Sequence, residues 1–339
     1  MCIRDRDYIV KIIKENSLNK GVRDASLFQG KYYGVAQDAA WQCLYYNKDM
    51  FKEAGLDPDK PPKTWDEYIE YGKKLTKYDS KGKIIRAGIS LRKTYLPYAI
   101  ADKWTTFLYC AGGKLFNENL TKTLINSKEG IEALELYKNI IFKWRIDGFD
   151  VQGDTEGFLN GTVAMFNRGS WLISDILETR PNLNFGVAHI PKKKISATQG
   201  GFYISIVPRE SKHKKEAWKF IQFLISDEWY DKYLKAAGFL PLTKSLAEKP
   251  EYKNNPYFKP FLTQPNVIAD PLLVETEEMM GILGHYIEKT CRGYLSPKEA
   301  LDKAAKEINE ILAKIPENRK PNYNVNNKQN GLNKLEIQR

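Results

Sequence analysis

The chain has 339 residues, 42% of them hydrophobic and 28% charged, with 53 Lys and Arg against 42 Asp and Glu for a formal net charge of +11. This length and balance belong to a folded protein with room for two lobes, and they exclude both a disordered chain and a small scaffold dependent on disulfide or metal staples. No run approaches the roughly 18 uninterrupted apolar residues of a membrane span, and Arg4, Asp5, Arg6, Asp7, Lys11, Lys14 and Glu15 interrupt the stretch where the apolar core of a signal peptide would lie, so an intact secretory precursor is not expected.

Short β-rich runs alternate with amphipathic helical ones, the pattern of an α/β protein. Residues 31–35 and 43–46 read as strands. Thr64 with Glu67 three residues on is a capping box, which opens a helix through about Leu75. Asn126 or Ser127 caps a second helix, with Ile131, Leu134, Tyr137, Ile140 and Ile141 along one face. Residues 162–166, 185–188 and 202–207 read as strands. From 214 to about 234 the residues Ala217, Trp218, Ile221, Leu224 and Ile225 recur at helical spacing. Ser296, Pro297 and Glu299 combine an N-cap, a proline at the first helical position and a capping-box glutamate. The helix they start carries Ala300, Leu301, Ala304, Ile308, Ile311 and Leu312 on one side. Residues 316–339 are rich in Asn and poor in apolar side chains, so a disordered tail is expected there.

Cys2, Cys43, Cys110 and Cys291 are widely separated, and the three histidines, His189, His213 and His285, stand apart from them. Zinc-ligand spacing is therefore missing, and neither metal nor cofactor is expected. The basic runs at 192–194 and 212–215 come without a nucleic-acid reading motif and describe a solvated face. There is no phosphate-binding Gly-rich loop followed by Lys and Ser or Thr. A glycosidase would need two opposed carboxylates. The acidic cluster of Asp270, Glu275, Glu277 and Glu278 would face solvent on a helix, so no enzyme is expected.

Several segments in order carry a family likeness: Gly30-Lys31-Tyr32-Tyr33-Gly34-Val35; the run 44–57 that opens Leu44-Tyr45-Tyr46-Asn47-Lys48; Pro61-Pro62-Lys63-Thr64-Trp65; Phe158-Leu159-Asn160-Gly161-Thr162-Val163-Ala164-Met165; Gly169-Ser170-Trp171; Gly200-Gly201; Ala217-Trp218-Lys219-Phe220; and Gly238-Phe239-Leu240-Pro241. Over about residues 25–315 the chain resembles the extracellular solute-binding proteins of ABC importers, in particular the maltose-binding-protein-like family that takes sugars and oligosaccharides. The resemblance implies a two-lobed, periplasmic-binding-protein-like type II α/β fold with the ligand in the cleft. It implies hinge crossings at 39–42, 199–202 and 239–241, a second lobe of 43–198 and 242–315, and a first lobe of 1–38 and 203–238. Relatives carry a signal peptide and the opening units of the first lobe ahead of the Gly-Lys-Tyr-Tyr-Gly segment. Only 29 residues precede Gly30 here, so the first lobe is expected to be incomplete through truncation, with residues 1–6 foreign. The implied setting is extracytoplasmic, periplasmic or lipid-anchored. The implied partners are a mono- or oligosaccharide and ABC permease subunits in the membrane, with the protein itself a monomer.

A sugar offers apolar C–H faces and a rim of hydroxyls, so its site needs aromatic plates and planar polar groups. Trp171, with Gly169 and Ser170, is the first candidate plate, its alternative being a core tryptophan at a strand end. Asp38, Trp41 and Gln42 lie at the first crossing. The two polar ones are candidates for hydroxyl contacts or turn closure, and Trp41 for stacking or hinge burial. Gly200 and Gly201 admit either close ligand approach or a tight turn. Asp102, Lys103 and Trp104 belong to a segment that reaches the cleft in relatives, although Trp104 with Phe107 and Leu108 also fits the buried face of a helix. Phe239 sits in the third crossing, and Arg168 and Glu156 are candidate hydroxyl clamps. A polyamine, held by Asp38, Glu156 and Asp102 between aromatics, is the competing ligand.

Overall fold

The structure is a computed structural model that describes residues 7–28, 30–269 and 273–320. Cys2, Asp270 of the acidic cluster and the expected tail from 321 onward lie outside the described residues. Two three-stranded sheets organise the chain. The first is built from β1 (Gly34–Trp41), β5 (Thr198–Ile206) and β6 (Val267–Ala269), in the order β6–β5–β1. The second is built from β2 (Cys43–Asn47), β3 (Met165–Arg168) and β4 (Phe185–Ala188), in the order β3–β2–β4. β1 runs antiparallel to β5 and β6 parallel to it, while β2 is antiparallel to both neighbours.

β2 is buried along its whole length, and strand alternation divides it between two cores. Leu44 and Tyr46 enter the larger core, where Trp104, Phe107, Tyr137, Met279, Leu283, Leu301 and Ile308 meet. Cys43 and Tyr45 enter a second core with Trp41, Phe158, Phe166, Tyr230 and Phe261. Three helices frame the larger core: α1 (Pro97–Cys110), α2 (Thr276–Cys291) and α3 (Pro297–Lys314). A smaller third cluster gathers Ile13, Val35, Val207, Trp218 and Ile221. β1 therefore leaves one packed region at Val35 and enters another at Ala39 and Trp41.

Both capping boxes form, Thr64 with Glu67 and Ser296 with Glu299. Replacing Ser296 by Ala removes the acceptor for the Glu299 backbone N–H and is expected to cost about 1 kcal/mol. The effect is read as a lower urea midpoint at unchanged slope.

The strand expected at 31–35 is broken at Tyr33, Lys31–Tyr32 pairing with Leu27–Phe28 while β1 starts at Gly34, and the elements depart from the sequence expectation at three further places. The helical run from 214 divides into Lys214–Leu224 and Asp227–Ala237, with Ser226 extended between them. The strand expected at 162–166 begins only at Met165, because the preceding residues pair elsewhere. The Ala87 N–H donates to the Thr162 carbonyl and the Ala164 N–H to the Ala87 carbonyl, each at 2.9 Å. The strand expected at 202–207 is the second half of β5, which contains Gly200 and Gly201. Of the segment after Ile315, Glu317–Arg319 forms one 3-10 turn. Among the described residues no helix is long and apolar enough to cross a membrane.

Candidate functional site

The alternation of β1 separates the candidates at the first crossing. Asp38, Ala40 and Gln42 share one side of the strand, and Ala39, Trp41 and Cys43 the other. The second side is core: Trp41 is 1% exposed and its indole N–H donates to the Phe261 carbonyl at 3.0 Å. The first side looks outward at Asp38 and Ala40, while Gln42 is buried. Antiparallel partners share a face, and the register sets Asp38 opposite Tyr203 and Ala40 opposite Gly201. A bulge at Gln37, between Ala36 and Asp38, fixes this phase. Tyr203 is thereby delivered to the open face at 68% exposure.

Asp38 is half-buried there. Its Oδ2 accepts from the Tyr233 hydroxyl at 3.3 Å, while Oδ1 has no partner among the described residues. Burial holds its carboxyl above the usual range. Tyr233 stacks on Phe239 with ring centroids 6.4 Å apart. Gly238, in the left-handed region at φ +69°, ends the preceding helix and lies against Ser174 and the Trp171 carbonyl.

Gly169 closes the floor. A Cβ added there would lie 2.7 Å from the Trp171 indole nitrogen and 3.7 Å from the Ala40 methyl. The space freed by this glycine is therefore filled by the Trp171 ring. Ser170 is fully buried with Oγ unpartnered among the described residues. Trp171 is half-buried, and the Arg168 guanidinium lies 4.6 Å over its ring. Arg168 stands 3.8 Å from Asp154 Oδ1, and Asp154 is held more tightly by Arg92, whose Nε donates at 2.6 Å. Burial raises the Asp154 carboxyl, but Lys103, Arg92 and Arg168 together bring it below the usual carboxylate range.

Beside this cluster lies a hollow of about 430 Å³, lined by Arg92, Lys93, Tyr95, Phe149, Asp154, Glu156 and Arg168 among others. Glu156 is at its exposed rim. Beneath it Gln42 donates to Asp102 Oδ2 at 3.0 Å, and the buried Lys103 ammonium donates to the Asn167 carbonyl. Burial brings Lys103 down to about 7 and raises the Asp102 carboxyl.

The candidates thus fall into three groups. Asp38, Gly201, Trp171 and Phe239 gather around one face, joined by Tyr203 and Tyr233, which the sequence reading missed. Gln42, Asp102 and Lys103 form a polar layer behind Arg168 and Asp154. Trp41, Trp104, Gly200 and Ser170 are buried, and a Cβ at Gly200 would meet the Phe202 ring at 2.7 Å. Neither Gly200 nor Gly201 has a left-handed φ, so the tight-turn reading does not apply to them. The parity of Tyr203 against Phe202 was the available signal, but it needed the register of β5. Among the described residues no group of three His, Cys, Asp or Glu side chains is placed to hold a metal ion.

A face with aromatic plates and a carboxylate but, among the described residues, no nucleophile set against a base has the make-up of a binding surface. The family profile described as bacterial extracellular solute-binding protein matches residues 3–260. The chain belongs to that family. This solute-binding protein is 30% identical over 300 residues to a Brucella abortus protein named as a binding protein, an alignment covering 85% of this chain and 70% of the relative. It is 26% identical over 298 residues to the sn-glycerol-3-phosphate-binding periplasmic protein of Shigella flexneri, covering 82% of this chain and 66% of that one. Among solved structures it superposes with a TM-score of 0.72 on an ABC transporter solute-binding protein of Thermotoga lettingae bound with α-D-tagatose. The two are 28% identical, with 90% of this chain and 79% of that chain covered. The solute-binding protein therefore has the two-lobed α/β fold of ABC-transporter binding components, a family that captures rather than transforms its ligand.

Proposed function

We propose that this solute-binding protein captures a sugar or oligosaccharide between its lobes and delivers it, unaltered, to ABC permease subunits at the outer face of the cell membrane. The observation that carries the reading is the open face shared by Asp38, Ala40, Gly201 and Tyr203 beside Trp171. Tyr203 and Trp171 supply plates for C–H faces, and the half-buried Asp38 carboxylate beside them supplies an acceptor group for a hydroxyl. The lobes are 1–38 with 203–238 and 43–198 with 242–315, joined at 39–42, 199–202 and 239–241. β1 and β5 run side by side through two of those crossings, so a ligand touching Asp38 and Trp171 bridges both lobes and shifts the balance toward the closed form. In the adjoining hollow Arg92 and Arg168 share the single carboxylate of Asp154, which disfavours a polycation and so the polyamine alternative.

Calorimetry on the full chain across a panel of glycans, tagatose included, tests this. Binding by at least one glycan is expected, with Trp171→Ala weakening it at least about tenfold. Tyr203→Ala, at an exposed position that the fold does not need, is expected to weaken it less. No heat with any glycan, or unchanged affinity in Trp171→Ala, overturns the reading.

A further inference from the structure

Arg168 is the anomaly of the site. Its side chain is 19% exposed and its guanidinium carries five N–H donors, yet the guanidinium makes no hydrogen bond among the described residues, and its buried Nε has no partner. The nearest carboxylate oxygen, Asp154 Oδ1, stands at 3.8 Å, and the other oxygen of that carboxylate, Oδ2, is committed to Arg92. Two guanidinium groups thus share one carboxylate. Lys93 adds nothing to this excess, because Asp147 holds it at 2.8 Å with both groups buried. Apart from the shared Asp154, the opposing charge on the wall of the hollow is Glu156, and it sits in solvent, where it is screened. Behind the wall, Asp102 and Lys103 offset one another. A positive excess remains at Arg168 and Arg92, next to the Trp171 ring that holds Arg168 flat. Burying a guanidinium without hydrogen bonds is costly, and a bidentate oxyanion is the partner its fork fits.

We infer that Arg168, with Arg92 beside it, forms an oxyanion subsite in the hollow next to Trp171, so that the ligand is an acidic saccharide bearing a carboxylate or phosphate rather than a neutral one. This rests on the saccharide reading above and narrows its ligand class. Trp171 stacks on the ring while the terminal N–H groups of Arg168 meet the acidic substituent.

The test is calorimetry on the full chain with matched probes: glucose, galactose and mannose, their uronates and their 6-phosphates. The acidic forms are expected to bind at least about tenfold tighter than their neutral counterparts. That ratio is expected to fall with added salt, to collapse in Arg168→Gln and to rise in Glu156→Gln, whose exposed position leaves folding untouched. The uronate and phosphate arms tell which oxyanion is preferred. A ratio near one in the wild type, or one that survives Arg168→Gln, overturns the subsite. If no sugar of either kind binds, the saccharide reading falls, and inorganic phosphate followed by the indole N–H signal of Trp171 decides the subsite alone. A shift seen in the wild type and lost in Arg168→Gln keeps it, and no shift ends it.

Discussion

Gly284→Ala is expected to destabilise the protein by about 3 kcal/mol or more, among the larger effects a single methyl can have. Gly284 lies on α2 where that helix crosses the first turn of α1. A Cβ placed there would be 1.7 Å from the Pro97 carbonyl oxygen and 2.4 Å from its carbon. Those are backbone atoms of a proline at the start of a helix, so no rotamer change relieves the clash. α1 itself cannot move aside, because Ile100, Ala101 and Trp104 just beyond are fully buried. The helices must separate, opening the larger core along their contact. The control lies one turn away: a Cβ at Gly281 meets nothing within 4 Å. Gly281→Ala therefore gains helix propensity without a clash and is expected to stabilise by up to about 1 kcal/mol. Urea unfolding of the two variants should move the midpoint in opposite directions. Equal shifts would show that close helix approach does not limit this core.

Local chemistry made part of this fold legible in advance. The two capping boxes needed only residues three apart, and both formed where Thr64 and Ser296 placed them. The helical spacing of Trp104, Phe107 and Leu108 identified a buried face, and all three are buried. The break at Ser226 was also written locally, in a Ser followed by Asp227 and Glu228, but the apolar periodicity running past it masked the signal. Features that depend on pairing were not legible. Asp38, Trp41 and Gln42 look equivalent as neighbours in the chain. Only the phase of β1 against β5, set by the bulge at Gln37, sends Trp41 inward and Asp38 outward and brings Tyr203 opposite Asp38. The meeting of Arg92, Asp154 and Arg168 joins residues as many as 76 positions apart, and no local pattern announces it. In the Gly169, Ser170 and Trp171 motif the glycine, expected to let the backbone approach a ligand, instead leaves room for the tryptophan ring.

Lys103→Met is expected to flatten the pH dependence of stability in the alkaline range. The ammonium is buried among Asp154 and Asp102, which favour its charge, and Arg168 and Arg92, which oppose it. Burial outweighs the rest and brings its pKa to about 7, against 10.5 for an ordinary lysine. In the unfolded chain the ordinary value returns. Between those two values the unfolded state keeps a proton that the folded state has released, so this group makes stability rise with pH across the window. Below it both states are charged and the full penalty of burying the ammonium is present; above it both are neutral and the penalty is gone. Methionine keeps the volume and removes the charge. The variant should then exceed the wild type by a few kcal/mol at about pH 6 and converge with it near about pH 10, less whatever the Asn167 carbonyl loses when its donor goes. Urea unfolding at those two pH values checks this. A stability difference of the same size at both would mean that the lysine keeps its proton inside the fold, and that the neighbouring carboxylates, rather than burial, govern this layer of the cleft.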